Sequence, residues 1–138
     1  MIEVKNITKS TKEGRQILKG ISFKANKGDF IGILGASGAG KTLTMRCLNG
    51  LTKPTTGKIL INFDGKEHDI TKYKGKELRK LRQKIGVVFQ GFNLVKRLTV
   101  LDNVMIGKLG KINQFRSLFK GFTDDEAEKA LEALERMK

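Results

Sequence analysis

The feature that most constrains this fold is a glycine-rich loop between an apolar run at 30–34 and a helical pattern. The loop consists of Gly35, Ala36, Ser37, Gly38, Ala39, Gly40, Lys41 and Thr42. It matches the phosphate-binding pattern GxxxxGK[ST] at each of the pattern's fixed positions. The apolar run predicts a buried strand before the loop, and Leu43, Cys47 and Leu48 predict one apolar face of a helix after it.

This order of strand, loop and helix suits the binding of a polyphosphate. Glycines let backbone N–H groups converge on an anion, and the start of the helix adds unpaired N–H groups and a positive dipole end. Lys41 adds a mobile charge for the β- and γ-phosphates, and the Thr42 hydroxyl is placed to ligate Mg²⁺. The sequence therefore predicts nucleotide binding, with a glycine-rich turn that binds nothing as the alternative.

The length, apolar runs, net charge and cysteine count of the sequence limit the classes of protein to which it can belong. The 138 residues suffice for one domain with a core, and the longest apolar runs fall well short of the ~20 residues that span a bilayer. The net charge of +14 is scattered over nearly every segment, which favours a solvated lysine-rich surface over a nucleic-acid interface. The single cysteine, Cys47, excludes an internal disulfide and is expected to be a small buried hydrophobe.

Periodicity predicts an antiparallel start to the chain and helices later in it. Residues 2–8 and 17–25 alternate as strands, and a further strand is predicted at 58–63, followed by the turn Asp64-Gly65. Helices are predicted at 76–84, from Thr99 and from Thr123. Thr123 begins a capping box with Glu126.

A second apolar run, Ile85–Phe89, ends at Gln90. Like the run at 30–34, it predicts a parallel strand buried on both faces, with a polar residue at the carboxyl end where open α/β sheets bind ligands. His68 lies in a charged stretch without a second histidine in the chain, so we expect a solvated loop residue and not a metal ligand.

Taken together, these motifs resemble the ATP-binding subunits of ABC transporters. The phosphate loop, the segment Pro54–Ile59 and the segment Ile85–Gln90, which resembles the family's Q-loop, are correctly spaced for that family. The run Phe92–Val104 and the tail from Phe115 to Met137 are similar to the phosphonate-importer branch.

The resemblance implies an incomplete α/β fold with a P-loop NTPase (RecA-like) core, in one nucleotide-binding domain. Residues 1–29 would form an antiparallel β lead-in, 30–91 the core as far as the Q-loop, and 92–138 the start of a helical subdomain. The implied cofactors are ATP and Mg²⁺, with Thr42 and Gln90 near the metal and Gln90 sensing the γ-phosphate.

The same resemblance implies partners, a location and a function. The subunit would pair with a second copy, dock on membrane permease subunits at the cytoplasmic face of the membrane, and serve a solute-binding protein indirectly. It would power import of phosphonate or a related anion. Import of another small solute and a non-catalytic nucleotide-binding module are the alternatives.

Three departures from the family pattern qualify these expectations. An aromatic residue that would stack on adenine is missing near Thr11, and Leu43 stands where the family has a hydroxyl side chain. The signature motif, the Walker B aspartate with its catalytic glutamate and the switch histidine do not occur within the 138 residues. We therefore expect this chain by itself to lack ATPase activity, and its end at Lys138, inside a helical pattern, is typical of a truncated chain.

Overall fold

The structure is a computed structural model that describes residues 1–109 and 122–137. It divides into two compact units, Met1–Ile85 and Gly86–Lys138.

The first unit is built on a four-stranded antiparallel sheet. Its strands are β1 (Ile2–Ser10), β2 (Gln16–Ala25), β3 (Thr56–Phe63) and β4 (Lys66–Asp69), in the spatial order β2-β1-β3-β4. Strands β1, β2 and β3 confirm the strands predicted from alternation. The antiparallel pairs β1–β2 and β3–β4 are hairpins, and β1 also pairs with β3 across the middle of the sheet.

A β-bulge in β1 places the side chains of two core residues on the same face of the sheet. Val4 and Ile7 are both buried although they are three positions apart, which a regular strand with a two-residue period would not allow. Asn6, between them, has a left-handed φ of 47°, and the pairing register with β2 and β3 shifts around it. The extra residue restores the inward direction of Ile7.

Two helices and a short 3₁₀ turn cover one face of this sheet. Helix α1 is Lys41–Leu48, the 3₁₀ turn is Ile70–Lys72, and helix α2 is Gly75–Arg82. Each contributes a buried side chain, respectively Cys47, Ile70 and Leu81. The core cluster consists of these three with Val4, Ile7, Leu18, Ile59 and Ile61. Each large aliphatic side chain in it contributes about 1.5–3 kcal/mol by leaving water.

Two predicted strands do not form. The segment at 30–34 has no strand pairing, and Phe30 and Leu34 are 99% and 94% exposed. The run Ile85–Phe89 is also unpaired, with Val88 fully exposed. The prediction of buried parallel strands was therefore wrong for this chain. A strand needs a neighbour to satisfy its backbone N–H and C=O groups, and the described residues supply none for either run.

The expectation of a charged loop at Lys66–Asp69 was also wrong. These residues form β4, because the turn at Asp64 and Gly65, with φ of 53° and 72°, folds them back onto β3. His68 consequently lies on a strand. Its ring stacks on Phe63 with centroids 3.9 Å apart, and its Nδ1 lies 2.5 Å from the Tyr73 hydroxyl.

The second unit contains helices α3 (Val100–Ile106) and α4 (Asp124–Glu135). Both begin as predicted: the Thr99 hydroxyl accepts from the Asp102 amide, and the Thr123 hydroxyl accepts from the Glu126 amide, each within a capping box. The tail resemblance at 110–121 lies outside the described residues. Among the described residues, no helix combines the length and apolarity needed to cross a membrane.

Candidate functional site

The glycine-rich loop leads from the exposed segment at 30–34 into helix α1, which begins at Lys41. The Ala39 amide donates to the Ala36 carbonyl at 3.2 Å and closes a turn inside the loop. Gly38 and Gly40 both have left-handed φ angles, of 78° and 92°. The loop residues 35–42 therefore bend in a conformation that only glycine adopts easily at those two positions.

Gly40 is also required by packing. A Cβ at this position would lie 2.6 Å from Leu18 Cδ2, so the loop rests directly against the buried side chain of β2. This close approach fixes the start of helix α1 relative to the sheet. The loop is thus held in place by the core of the first unit.

The start of helix α1 presents backbone donors. Its N-cap is Gly40, which has no side chain to bind the first amides, and the Thr44 amide makes a 2.8 Å bond to the Gly40 carbonyl. The amides before Thr44 in the helix have no carbonyl one turn earlier within it. Together with the helix dipole, they form the kind of anion-binding end that phosphates occupy.

The Lys41 ammonium is bound to the loop itself. Its Nζ donates to the carbonyl oxygens of Gly35 at 2.7 Å and Ala36 at 2.8 Å. These bonds bring the positive charge over the loop and beside the helix start. The acceptors are neutral carbonyls, so an anionic phosphate oxygen placed there would be a stronger partner for the same group.

The residues present fit a magnesium ion only in company with phosphates. Thr42 is exposed in the first turn of α1, where its hydroxyl is available as one oxygen ligand. No cluster of three or more His, Cys, Asp or Glu side chains suited to a metal exists in residues 1–109 and 122–137. Because Mg²⁺ is commonly held by few protein oxygens plus substrate phosphates and waters, Thr42 would hold it through a bound nucleotide.

A cleft of about 720 Å³ adjoins the loop along β2. Its lining residues are Thr11, Arg15, Gln16, Ile17, Leu18, Lys19, Ile21, Gly38 and Ala39. The two loop residues, Gly38 and Ala39, form one end of it. The volume lies within the range of about 300–1,000 Å³ that small-molecule sites occupy.

The other residues of interest in the sequence, Leu43, Cys47 and Gln90, differ in how far they are buried. Leu43 is half-buried and packs on the core of the first unit, so its side chain replaces a hydroxyl by apolar contact. Cys47 is buried as predicted, and burial raises the pKa of its thiol while Lys9 lowers it to a smaller degree. Gln90 is exposed and belongs to the second unit.

The cleft, and the position of Arg15 in its lining, were not predicted from the sequence. Arg15 faces Thr11 across the β1–β2 hairpin, since the Thr11 amide donates to the Arg15 carbonyl at 2.9 Å. The register Ser10 opposite Gln16 follows from that closure. The alternation of residues 17–25 contained the signal for a hairpin, although not the length of its loop.

Comparisons of the sequence with known proteins identify a family and several relatives. The family model described as ABC transporter matches residues 18–138. The phosphonates import ATP-binding proteins PhnC of Treponema denticola and of Lactobacillus delbrueckii subsp. bulgaricus are 44% and 47% identical to this chain over 135 residues. In both cases the match covers 98% of this chain and 51% of the relative. The chain therefore spans about half the length of these curated relatives.

Solved structures agree with the family match. One is a dimeric post-hydrolysis structure of the ATP-binding cassette MJ0796 bound to ADP and Pi, which superposes on this chain with a TM-score of 0.79. The two sequences are 34% identical, and the match covers 98% of this chain and 56% of the cassette. The structure of cbiO1 from Clostridium perfringens, part of the transporter complex cbiONQ, gives a TM-score of 0.63 at 30% identity, over 93% and 46%. The incomplete α/β P-loop fold expected from the sequence is thereby confirmed, and the chain belongs to the ABC transporter family.

Proposed function

We propose that this chain is the ATP-binding part of an ATPase subunit that powers import of phosphonate or a related anion. The observation that carries the proposal is the loop at 35–42, in which the Lys41 ammonium, the glycine turns and the start of helix α1 converge on one place. The similarity to phosphonates import ATP-binding proteins supports the solute class.

In this proposal each residue of the loop has a defined task. The backbone amides of residues 36–42 bind phosphate oxygens, and Lys41 leaves the carbonyls of Gly35 and Ala36 to neutralise the β- and γ-phosphates. Thr42 supplies a hydroxyl ligand to Mg²⁺, which when bound would neutralise the phosphate charge. Gln90 acts as the Q-loop sensor of the γ-phosphate.

Hydrolysis needs groups that this chain does not contain. The sequence lacks the family's Walker B aspartate, its neighbouring glutamate, the signature motif and the switch histidine. We therefore assign nucleotide binding to residues 1–138 and the activation of water to the remainder of a complete subunit. Residues 1–29, 30–91 and 92–138 would serve as β lead-in, core and start of the helical subdomain.

The proposed setting is the cytoplasmic face of the cell membrane. There the complete subunit would bind peripherally to membrane permease subunits and pair with a second copy, and a separate solute-binding protein would deliver the ligand. The dimeric solved cassette supports the pairing. Nucleic acid is not among the proposed partners, since the basic residues are dispersed along the sequence.

Three measurements test this function: calorimetry, an ATP hydrolysis assay and growth of a deletion strain. The 138-residue chain should bind ATP–Mg²⁺ in calorimetry without multiple-turnover hydrolysis, and the complete subunit should hydrolyse ATP unless it carries Lys41→Ala. Turnover by the short chain that disappears in its own Lys41→Ala variant would contradict the division of tasks. In cells, deletion of the gene should abolish growth on a phosphonate as sole phosphorus source. Normal growth there with lost uptake of another solute would contradict the solute assignment.

A further inference from the structure

Within the part of the chain that the structure describes, the nucleobase end of the proposed site has no aromatic side chain on which a base could stack. The cleft along β2 adjoins the loop at Gly38 and Ala39, so it is a space within reach of the nucleoside of a nucleotide whose phosphates bind at 35–42. No aromatic ring is among the described residues that line it. Thr11 lines the cleft, and its hydroxyl oxygen is shielded from solvent.

Arg15 is the lining residue that can replace an aromatic ring. It is exposed at the end of the β1–β2 hairpin, directly opposite Thr11, and the bond from the Thr11 amide to the Arg15 carbonyl fixes its backbone. A guanidinium group is planar and stacks on the faces of bases, whereas a lysine ammonium does not. Ile17 lines the same cleft and supplies an apolar contact beside it.

The remaining polar groups of the cleft do not distinguish one base from another. Gln16 is exposed and its amide carries both a donor and an acceptor, so it can turn to pair with either kind of base edge. Lys19 is an exposed point charge. Stacking on a guanidinium plane is likewise tolerant of base identity, because every base has a π-face.

From these observations we propose that Arg15 is the base-stacking residue of this subunit and that its nucleotide site accepts GTP nearly as well as ATP. This inference rests on the proposed function, since it requires a triphosphate at the loop. Affinity then comes mainly from the polyphosphate contacts, and Arg15 adds a stacking contribution that is equal for the two purines.

The test is equilibrium binding of ATP, GTP and inorganic tripolyphosphate to the complete subunit and four variants. For the wild type we expect dissociation constants for ATP and GTP within about fivefold of each other. Arg15→Ala and Arg15→Lys should each weaken both nucleotides about tenfold. Arg15→Tyr should recover affinity relative to Arg15→Ala, because a ring restores the stacking surface. Lys12→Ala removes an exposed charge from the same hairpin outside the cleft and should change nothing.

The outcomes separate this inference from the function on which it rests. Tripolyphosphate binding should be the same in Arg15→Lys as in the wild type, since the charge is kept. If Arg15→Lys binds ATP as tightly as the wild type, the stacking role is wrong. If the wild type prefers ATP to GTP by about a hundredfold, the proposed acceptance of GTP is wrong. Phosphate binding stands in both cases. If the wild type binds neither tripolyphosphate nor a nucleotide, the proposed function itself fails.

Discussion

The Lys41 ammonium nitrogen lies 2.7 Å from the Gly35 carbonyl oxygen, so the charged residue of the loop is held by the residue at which the loop begins. A second bond, to Ala36 at 2.8 Å, completes the bridge. The charge is thereby held over the loop before any phosphate arrives. In the function that we propose, phosphate binding would exchange neutral acceptors for anionic ones and so strengthen the hydrogen bonds that Lys41 donates.

Replacement of this lysine should weaken phosphate binding. We expect Lys41→Ala to raise the dissociation constant of ATP by about tenfold to a hundredfold, the value of a lost charged hydrogen bond. Calorimetry on the complete subunit measures the change. Lys27→Ala, at an exposed position in the turn before 30–34, is the matched control and should bind like the wild type. Equal loss in both variants would show a general effect of charge and contradict the assigned contact.

Gly40 should be intolerant of alanine for two separate reasons. Its φ of 92° is strained for a residue with a Cβ, and that Cβ would lie 2.6 Å from Leu18 Cδ2. Gly28 has a similar φ of 91°, but a Cβ there would meet nothing within 4 Å, so Gly28→Ala carries the backbone strain alone. We expect the free energy of unfolding to fall by about 1 kcal/mol in Gly28→Ala and by about 1–3 kcal/mol more in Gly40→Ala.

Chemical denaturation of the complete subunit and its two glycine variants measures this difference. Nucleotide binding should be lost in Gly40→Ala and kept in Gly28→Ala. Equal stability of the two variants would mean that the loop does not rest on β2 as described.

Cys47 should make the protein less stable at alkaline pH. Burial raises the pKa of this thiol in the folded state, so the unfolded chain loses the proton first as pH rises. The contribution of the protonated thiol to the free energy of unfolding is complete below the ordinary thiol pKa of about 8.5. It decreases as pH rises toward the folded-state pKa, by at most about 1.4 kcal/mol per pH unit. Native protein should also react slowly with thiol reagents at neutral pH.

The comparison with Cys47→Ala isolates this group, because every other residue is the same in the two proteins. Denaturation curves between pH 7 and pH 10 should show a steeper loss of stability in the wild type. Parallel pH profiles for the two proteins would contradict a buried thiol.

The exposed segment at 30–34 should behave differently in the short chain and in a complete subunit. In the 138-residue chain, Phe30 and Leu34 are almost fully exposed, so Phe30→Lys with Leu34→Lys should reduce aggregation and dye binding to apolar surface. In the complete subunit the same pair should lower the free energy of unfolding by several kcal/mol, because we expect these side chains to be buried there. Met45→Lys, at a half-exposed site on α1, is the control. No loss of stability in the complete subunit would contradict that burial.

Local signals in the sequence predicted the parts of this chain that depend on local physics. The Thr99 and Thr123 caps and the turn at Asp64 and Gly65 depend on neighbouring residues and formed as expected. The strands β1 to β3 also formed, because each finds a pairing partner within the first unit. The segment at 30–34 did not, because an apolar run becomes a strand only when another strand pairs with it. The position of His68 was predicted wrongly because the predicted turn at Asp64 was not extended to the second strand of a hairpin, on which His68 lies.

In the candidate site, too, the features set by consecutive residues were predicted and those set by tertiary packing were not. The loop at 35–42 could be recognised from spacing alone, since its chemistry depends on eight consecutive residues. The bond between Lys41 and Gly35 and the contact between Gly40 and Leu18 depend on tertiary packing that no short pattern contains. Arg15 was missed because its position opposite Thr11 follows from the hairpin register.

Hydrogen exchange on the complete subunit, with and without ATP–Mg²⁺, tests the central claim most directly. We predict that ATP slows exchange at the amides of residues 36–42 and that Lys41→Ala removes this protection. Unchanged exchange in that segment under conditions where ATP binds, or protection confined to another part of the chain, would contradict a phosphate site at this loop.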